Sequence, residues 1–109
     1  MILRFHGIFL ISQNVVTGYD TYSDAVVVAE SAEVARRMHP NEGTDRAVDW
    51  LYLLDETGWW YRYTWDNDGD DWYEDRSWAR NPRDVTVRFL GWAKLNLEAG
   101  FVCRSFHAG

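Results

Sequence analysis

Apolar positions in the first forty residues fall into patterns typical of two strands and a short helix. Residues 2–12 are rich in β-branched and aromatic side chains, which favours a first strand. Residues 13–23 are polar and contain glycine, as a connecting loop does, and residues 24–30 hold an apolar run that suits a central strand. Ser31 is placed to cap a helix that Pro40 ends.

The rest of the chain alternates between apolar strands and turn residues. Residues 50–65 predict two strands around a turn at Asp55–Gly58, and Asn67–Gly69 predicts a second turn. The remaining predictions are a third strand from about Asp71 to Trp78, a strand at Val85–Trp92, a short helix or turn at Ala93–Ala99 and a last strand at Phe101–Phe106. We therefore expect one α+β domain over residues 1–109, an antiparallel sheet with one or two short helices and an aromatic, acidic β-hairpin insert.

Composition narrows the class of protein without naming a function. The chain has 109 residues, 47% of them hydrophobic and 26% charged, which is typical of one globular domain. No apolar run reaches the roughly 18 residues of a membrane-spanning helix, and the first residues lack the pattern of a signal peptide. Cys103 is the single cysteine, which suits a reducing compartment. We expect a cytoplasmic protein.

The negative charge is concentrated in one decapeptide. Six acids and no base lie between Asp66 and Asp75, whereas the rest of the chain holds eleven acids and eleven bases. The net charge of −6 therefore arises locally, and its sign disfavours direct binding to nucleic acid.

The acidic run has three interpretations. Carboxylates on one face of an extended strand repeat every 6.6–6.8 Å, close to the spacing of phosphates, so the run would compete for a basic groove on another protein. Alternatively, it is a solvated hairpin tip that keeps an aromatic sheet soluble. The third is a calcium loop: Thr64, Asp66, Asp68, Gly69 and Asp75 fall at positions 1, 3, 5, 6 and 12 of an EF-hand frame. Thr64 at position 1, Asp75 at position 12 and the predicted flanking strands do not fit that frame. The sequence still allows a less regular site for a divalent cation.

Aromatic side chains are concentrated in the same region. Ten of the eighteen lie between Trp50 and Trp78. We expect Trp50, Tyr52 and Trp92 in the core, and the stretch from Trp59 to Trp65 either in the core or on a contact surface. Exposed rings beside carboxylates suit a sugar-binding surface or a protein-binding hot spot.

Catalysis and metal binding have little support in the residue pattern. His6 and His107 lie on terminal strands that could pair, and Cys103 lies four residues before His107. A Cys–His nucleophile or a zinc site is conceivable from these groups, but neither has a local signature and zinc lacks a fourth ligand. A buried thiol in a strand is the commoner case. We expect no enzyme activity, cofactor or metal.

Five stretches together resemble a family of small phage- and prophage-encoded proteins. They are Phe9–Gln13, Gly18–Tyr22, Asp24–Glu30, Ala35–Pro40 and Gly100–Gly109. The resemblance covers residues 8–40 and 85–109, and Gly18–Tyr22 with the apolar run behind it is its most specific piece. It implies the class of small acidic proteins that includes anti-CRISPR and other anti-defence inhibitors, which bind a host complex rather than catalyse a reaction. The aromatic, acidic insert is where this chain departs from the family.

These observations predict a phage-derived inhibitor that binds a host defence complex stoichiometrically through a DNA-mimicking surface. The predicted partner-binding residues are Asp66, Asp68, Asp70, Asp71, Glu74 and Asp75, with Trp59, Trp65 and Trp72 as aromatic anchors. The expected partner is a basic nucleic-acid-binding surface in the host cytoplasm, with no direct nucleic acid and no membrane, bound by a monomer or weak dimer. The alternative is a glycan- or small-ligand-binding module that uses the same aromatic surface.

Overall fold

The structure is a computed structural model that describes residues 5–40, 50–54, 58–66, 69–74 and 76–107. Within it, residues 50–54, 61–66 and 69–74 are described by their backbone.

The described residues form two antiparallel sheets. The first has four strands in the order β6-β1-β2-β7, and the second has three in the order β3-β4-β5. The strands are β1 (Gly7–Ser12), β2 (Thr21–Ala29), β3 (Trp50–Leu54), β4 (Trp60–Asp66), β5 (Gly69–Glu74), β6 (Thr86–Trp92) and β7 (Gly100–His107). Both edge strands of the first sheet carry an irregularity, since the β6 register shifts opposite Ile8 and Phe9 and the β7 register shifts twice.

One short α-helix connects the two sheets in sequence. Helix α1 (Ala32–Arg36) begins at Ser31, whose hydroxyl accepts a hydrogen bond from the Val34 N–H at 3.2 Å. This is the cap that the sequence predicts, because a serine oxygen satisfies an amide that has no partner within the helix. At the end of the helix, the Arg36 guanidinium donates a hydrogen bond to the carbonyl oxygen of Val85. This bond connects the helix to the segment before β6.

The core lies between one face of the first sheet, helix α1 and residues near the second sheet. Alternate residues of β1, Phe9 and Ile11, are buried on this face, as strand periodicity requires. Trp60 at the start of β4 and Trp78 after β5 belong to the same buried cluster. The start of β4 therefore packs into the core of the first sheet.

The prediction of an α+β fold is confirmed only for the antiparallel sheet. Among the described residues, α1 spans five residues and the one other helical element is a 3-10 turn at Pro82–Asp84, so the fold is mostly β. Residues 93–99 form a turn in which the Leu97 N–H donates to the Lys94 carbonyl oxygen. Strand β5 ends at Glu74 rather than at Trp78. No helix in the described ranges is long and apolar enough to cross a membrane.

Candidate functional site: the acidic hairpin and its surroundings

Four of the six acidic residues lie on the β-hairpin that β4 and β5 form. Asp66 ends β4 and is paired with Gly69, the first residue of β5. Asp70 is paired with Trp65, Asp71 with Thr64, and Glu74 with Tyr61. Asp68 and Asp75 lie outside the described residues.

The chain reverses within the acidic run, so the run is not one extended strand. Alternation along the paired strands puts positions 66 and 71 on the sheet face that includes Trp60, and positions 70 and 74 on the opposite face. The expected single row of acids at phosphate-like intervals is therefore replaced by acids on two neighbouring strands, about 4.7–4.9 Å apart. Both faces of the hairpin carry acidic residues near its turn.

The base of this hairpin is attached to the core through Trp60. The Trp60 side chain is only 3% exposed, and its ring packs edge-on against the buried His39 ring at 5.0 Å between centroids. Its backbone N–H donates to the Arg80 carbonyl oxygen at 2.6 Å. These contacts hold the start of β4 in place by packing on one side and by a backbone hydrogen bond on the other.

The three predicted aromatic anchors lie at different positions along the hairpin, Trp59 directly before β4 and the other two within its strands. Trp59 is half-buried, and the guanidinium carbons of Arg80 and Arg83 lie 5.2 and 5.4 Å from its ring centre. These distances are those of cation–π contacts, so the ring already binds cations of its own chain. Trp65 lies in β4 and Trp72 in β5, paired with Asp70 and Tyr63 respectively.

An exposed apolar patch lies elsewhere, at the β6 edge of the first sheet. Phe5 is 60% exposed and Trp92 70%, with Phe89 and Leu90 about half exposed. The Phe89 and Trp92 rings contact each other at 5.2 Å. The prediction that Trp92 lies in the core is wrong, because Trp92 is the last residue of an edge strand and is paired on one side only, with Gly7.

The sequence does hold a signal for this patch. Three large apolar residues lie within four positions of one strand, namely Phe89, Leu90 and Trp92. Side chains alternate between the two faces of a strand, so two adjacent ones cannot lie on the same face. In a sheet with only one covered face, at least one of them is therefore exposed or placed in a bulge, and the register shift of β6 occurs at this point.

The structure separates the groups considered for nucleophilic or zinc chemistry. Strand β7 pairs with β2 and not with β1, so the terminal strands, which the sequence allowed to pair, do not. Cys103 and His107 lie four residues apart on β7, about 13 Å at strand geometry, and Cys103 is exposed rather than buried. His6 lies near the opposite end of the sheet, where its carbonyl accepts from Ala93. Among the described residues, no group of three His, Cys, Asp or Glu is arranged to hold a metal ion.

Comparison with known proteins adds no family or function. No family model, curated protein or solved structure matches the chain.

Proposed function

We propose that this chain is a non-catalytic inhibitor that docks the acidic β4–β5 hairpin on a basic, nucleic-acid-binding groove of a bacterial defence complex. The observation that carries the proposal is the charge of the hairpin. Six acids and no base fall within ten residues, and four of them, Asp66, Asp70, Asp71 and Glu74, lie on the paired strands β4 and β5. A surface of this kind attracts a basic groove over a long range and accelerates association.

The attachment of the hairpin supports a binding role. Because Trp60 is packed in the core and hydrogen-bonded to Arg80, the start of β4 is ordered before any partner arrives. A binding element that is ordered in advance loses less conformational entropy on association. The acids near the turn would then meet the partner first, and the charge would determine both the association rate and the choice of partner.

The nature of the partner follows from the sign of the charge and from the resemblance to phage-encoded proteins. A cluster of carboxylates needs arginine and lysine opposite it, and nucleic-acid-binding grooves are the surfaces that concentrate these residues. Small acidic proteins of mobile elements commonly act on CRISPR-type complexes. We therefore place the site of action in the cytoplasm of the host cell.

The test compares two variants of equal net charge. The hairpin variant changes Asp66, Asp70, Asp71 and Glu74 to their amides, and the control variant does the same to the exposed residues Glu30, Glu33, Asp84 and Glu98. Four neutralisations take the net charge from −6 to −2 in each case. Each protein is titrated into purified CRISPR effector complexes holding a labelled DNA duplex, and fluorescence anisotropy reports displacement of the DNA.

We expect the wild-type protein to displace DNA. The concentration needed for the same displacement should be at least about ten times higher for the hairpin variant and should change by less than about twofold for the control variant. Raising the salt from about 50 to about 200 mM should weaken the wild type at least about tenfold, because exposed charges are screened. Equal losses in both variants would mean that overall charge, not the hairpin, is responsible. Failure to bind any complex of the panel would contradict the partner class.

A further inference from the structure

The loop between β1 and β2 surrounds a cavity of about 430 Å³ at the β7 end of the first sheet. We call it the loop cavity. Its lining comes from the loop, from the start of β2 and from the end of β7: Gln13, Asn14, Val16, Thr17, Gly18, Tyr19, Thr21, Ser23 and His107. This volume lies within the range of about 300–1,000 Å³ that is usual for small-molecule sites.

The loop is held open by the side chain of Gln13, which is nearly buried. Its amide nitrogen donates to the carbonyl oxygens of Val16 and Tyr22 at 2.7 and 2.6 Å. Its amide oxygen accepts from the N–H groups of Val15 and Val16 at 3.1 and 2.8 Å. Four hydrogen bonds from one side chain order the loop without any ligand, so the cavity is preformed.

Tyr19 is the most exposed large side chain of the loop, at 80%, and the backbone on both sides of it is fixed. Before it, Gly18 has φ +108° and its carbonyl accepts from the Thr21 hydroxyl at 2.8 Å. After it, Asp20 has φ +60° and its N–H donates to the His107 carbonyl oxygen. A left-handed non-glycine residue is uncommon and costs free energy. The backbone of the loop therefore places the exposed Tyr19 side chain beside the cavity.

The lining chemistry indicates the class of ligand. Thr17, Tyr19 and Ser23 bring hydroxyl groups, each able to donate and to accept a hydrogen bond. Asn14 and His107 add an amide and an imidazole, and no Asp, Glu, Lys or Arg is among the described lining residues. The surface that the lining exposes is nevertheless mostly apolar, so a matching ligand is neutral and presents an apolar face together with a few hydroxyl groups. The Tyr19 ring supplies an apolar face for the C–H side of a sugar ring.

We propose that the loop cavity binds a neutral sugar of one or two rings, with Tyr19 as the stacking platform. This site is separate from the acidic hairpin and does not depend on the proposed inhibitor function. The site also lies outside the aromatic insert. It includes the Gly18–Tyr22 stretch, which takes no part in the proposed function of the acidic hairpin.

The test is an NMR titration of the full chain, with amide shifts recorded during addition of glucose, galactose or N-acetylglucosamine. The charged counterparts glucuronate and glucosamine serve as controls of ligand class. We expect shift changes confined to residues 13–23 and 105–107, in the millimolar range, for at least one neutral sugar and weaker for its charged counterpart.

Substitutions then test whether the Tyr19 ring itself contributes to sugar binding. Tyr19→Ala should weaken binding about tenfold and Tyr19→Phe should retain most of it, because stacking needs the ring and not the hydroxyl. Thr17→Val, which replaces the hydroxyl of one lining residue with a methyl group, should weaken binding severalfold. Trp92→Ala removes an exposed ring far from the cavity and should leave the titration unchanged. Absence of shifts with all three neutral sugars, shifts located outside the loop cavity, or full binding by Tyr19→Ala would overturn the proposal.

Discussion

Replacing Trp60 by alanine tests whether the hairpin is attached to the core as the structure indicates. Trp60 is 3% exposed, contacts the His39 ring and belongs to the same buried cluster as Trp78. Truncating a buried tryptophan to alanine removes its apolar contacts and leaves a cavity, which costs about 3–5 kcal/mol. Because the total stability of a domain is about 5–15 kcal/mol, we expect a large loss.

Urea unfolding, followed by tryptophan fluorescence and by circular dichroism, measures this loss. With a urea m-value of about 1–3 kcal/mol/M, a loss of about 3 kcal/mol or more lowers the unfolding midpoint by about 1 M or more. Trp60→Phe keeps most of the ring in place. It also removes an indole N–H that has no hydrogen-bond partner within the described part of the chain, so it should cost about 1–2 kcal/mol.

The matched control is Trp92→Ala, the same substitution at a residue that is 70% exposed. Its expected cost is about 1 kcal/mol or less, since the ring is already largely exposed and loses little beyond surface contacts such as that with Phe89. If Trp92→Ala destabilised the protein as much as Trp60→Ala, the assignment of buried and exposed tryptophans would be refuted, and with it the attachment of the hairpin through Trp60.

Three further substitutions test local features of the fold. Gln13→Ala removes four hydrogen bonds and should cost about 2–3 kcal/mol in thermal unfolding, whereas a cost under about 0.5 kcal/mol would contradict the ordering of the loop by this side chain. Gly7→Ala places a Cβ 2.6 Å from the buried Phe9 ring, so urea unfolding should show a loss of about 1–3 kcal/mol; no loss would mean that the ring has room to move. Ser31→Ala should cost about 0.5–1 kcal/mol and Ser31→Asp much less, because aspartate also caps; equal losses would remove the capping role.

Local features of the chain could be predicted because they depend on near neighbours. The strand segments at β1, β6 and β7 follow from β-branched and aromatic runs, and each was located to within a few residues except at the start of β1. The cap at Ser31 follows from the chemistry of one hydroxyl and one amide three residues away. The turn between β4 and β5 follows from Asn67–Gly69, since these residue types favour reversals.

The candidate sites were only partly predictable. The acidic hairpin is visible in the sequence because charge is counted residue by residue, and its turn explains why the acids lie on two strands. The loop cavity was not predicted, because it forms only when the end of β7 meets the β1–β2 loop, more than eighty residues away in sequence. No local pattern encodes that encounter.

By itself the sequence determined where strands form, where the chain turns and where its negative charge lies. The tertiary structure decided which strand lies beside which, and therefore which aromatic rings are buried. Trp60, Trp78 and Trp92 are the same residue type in similar apolar contexts, yet the first two are in the core and the third is on the surface. The physical reason is that burial depends on what covers a side chain, and for Trp60 the cover includes His39, twenty-one residues away in sequence.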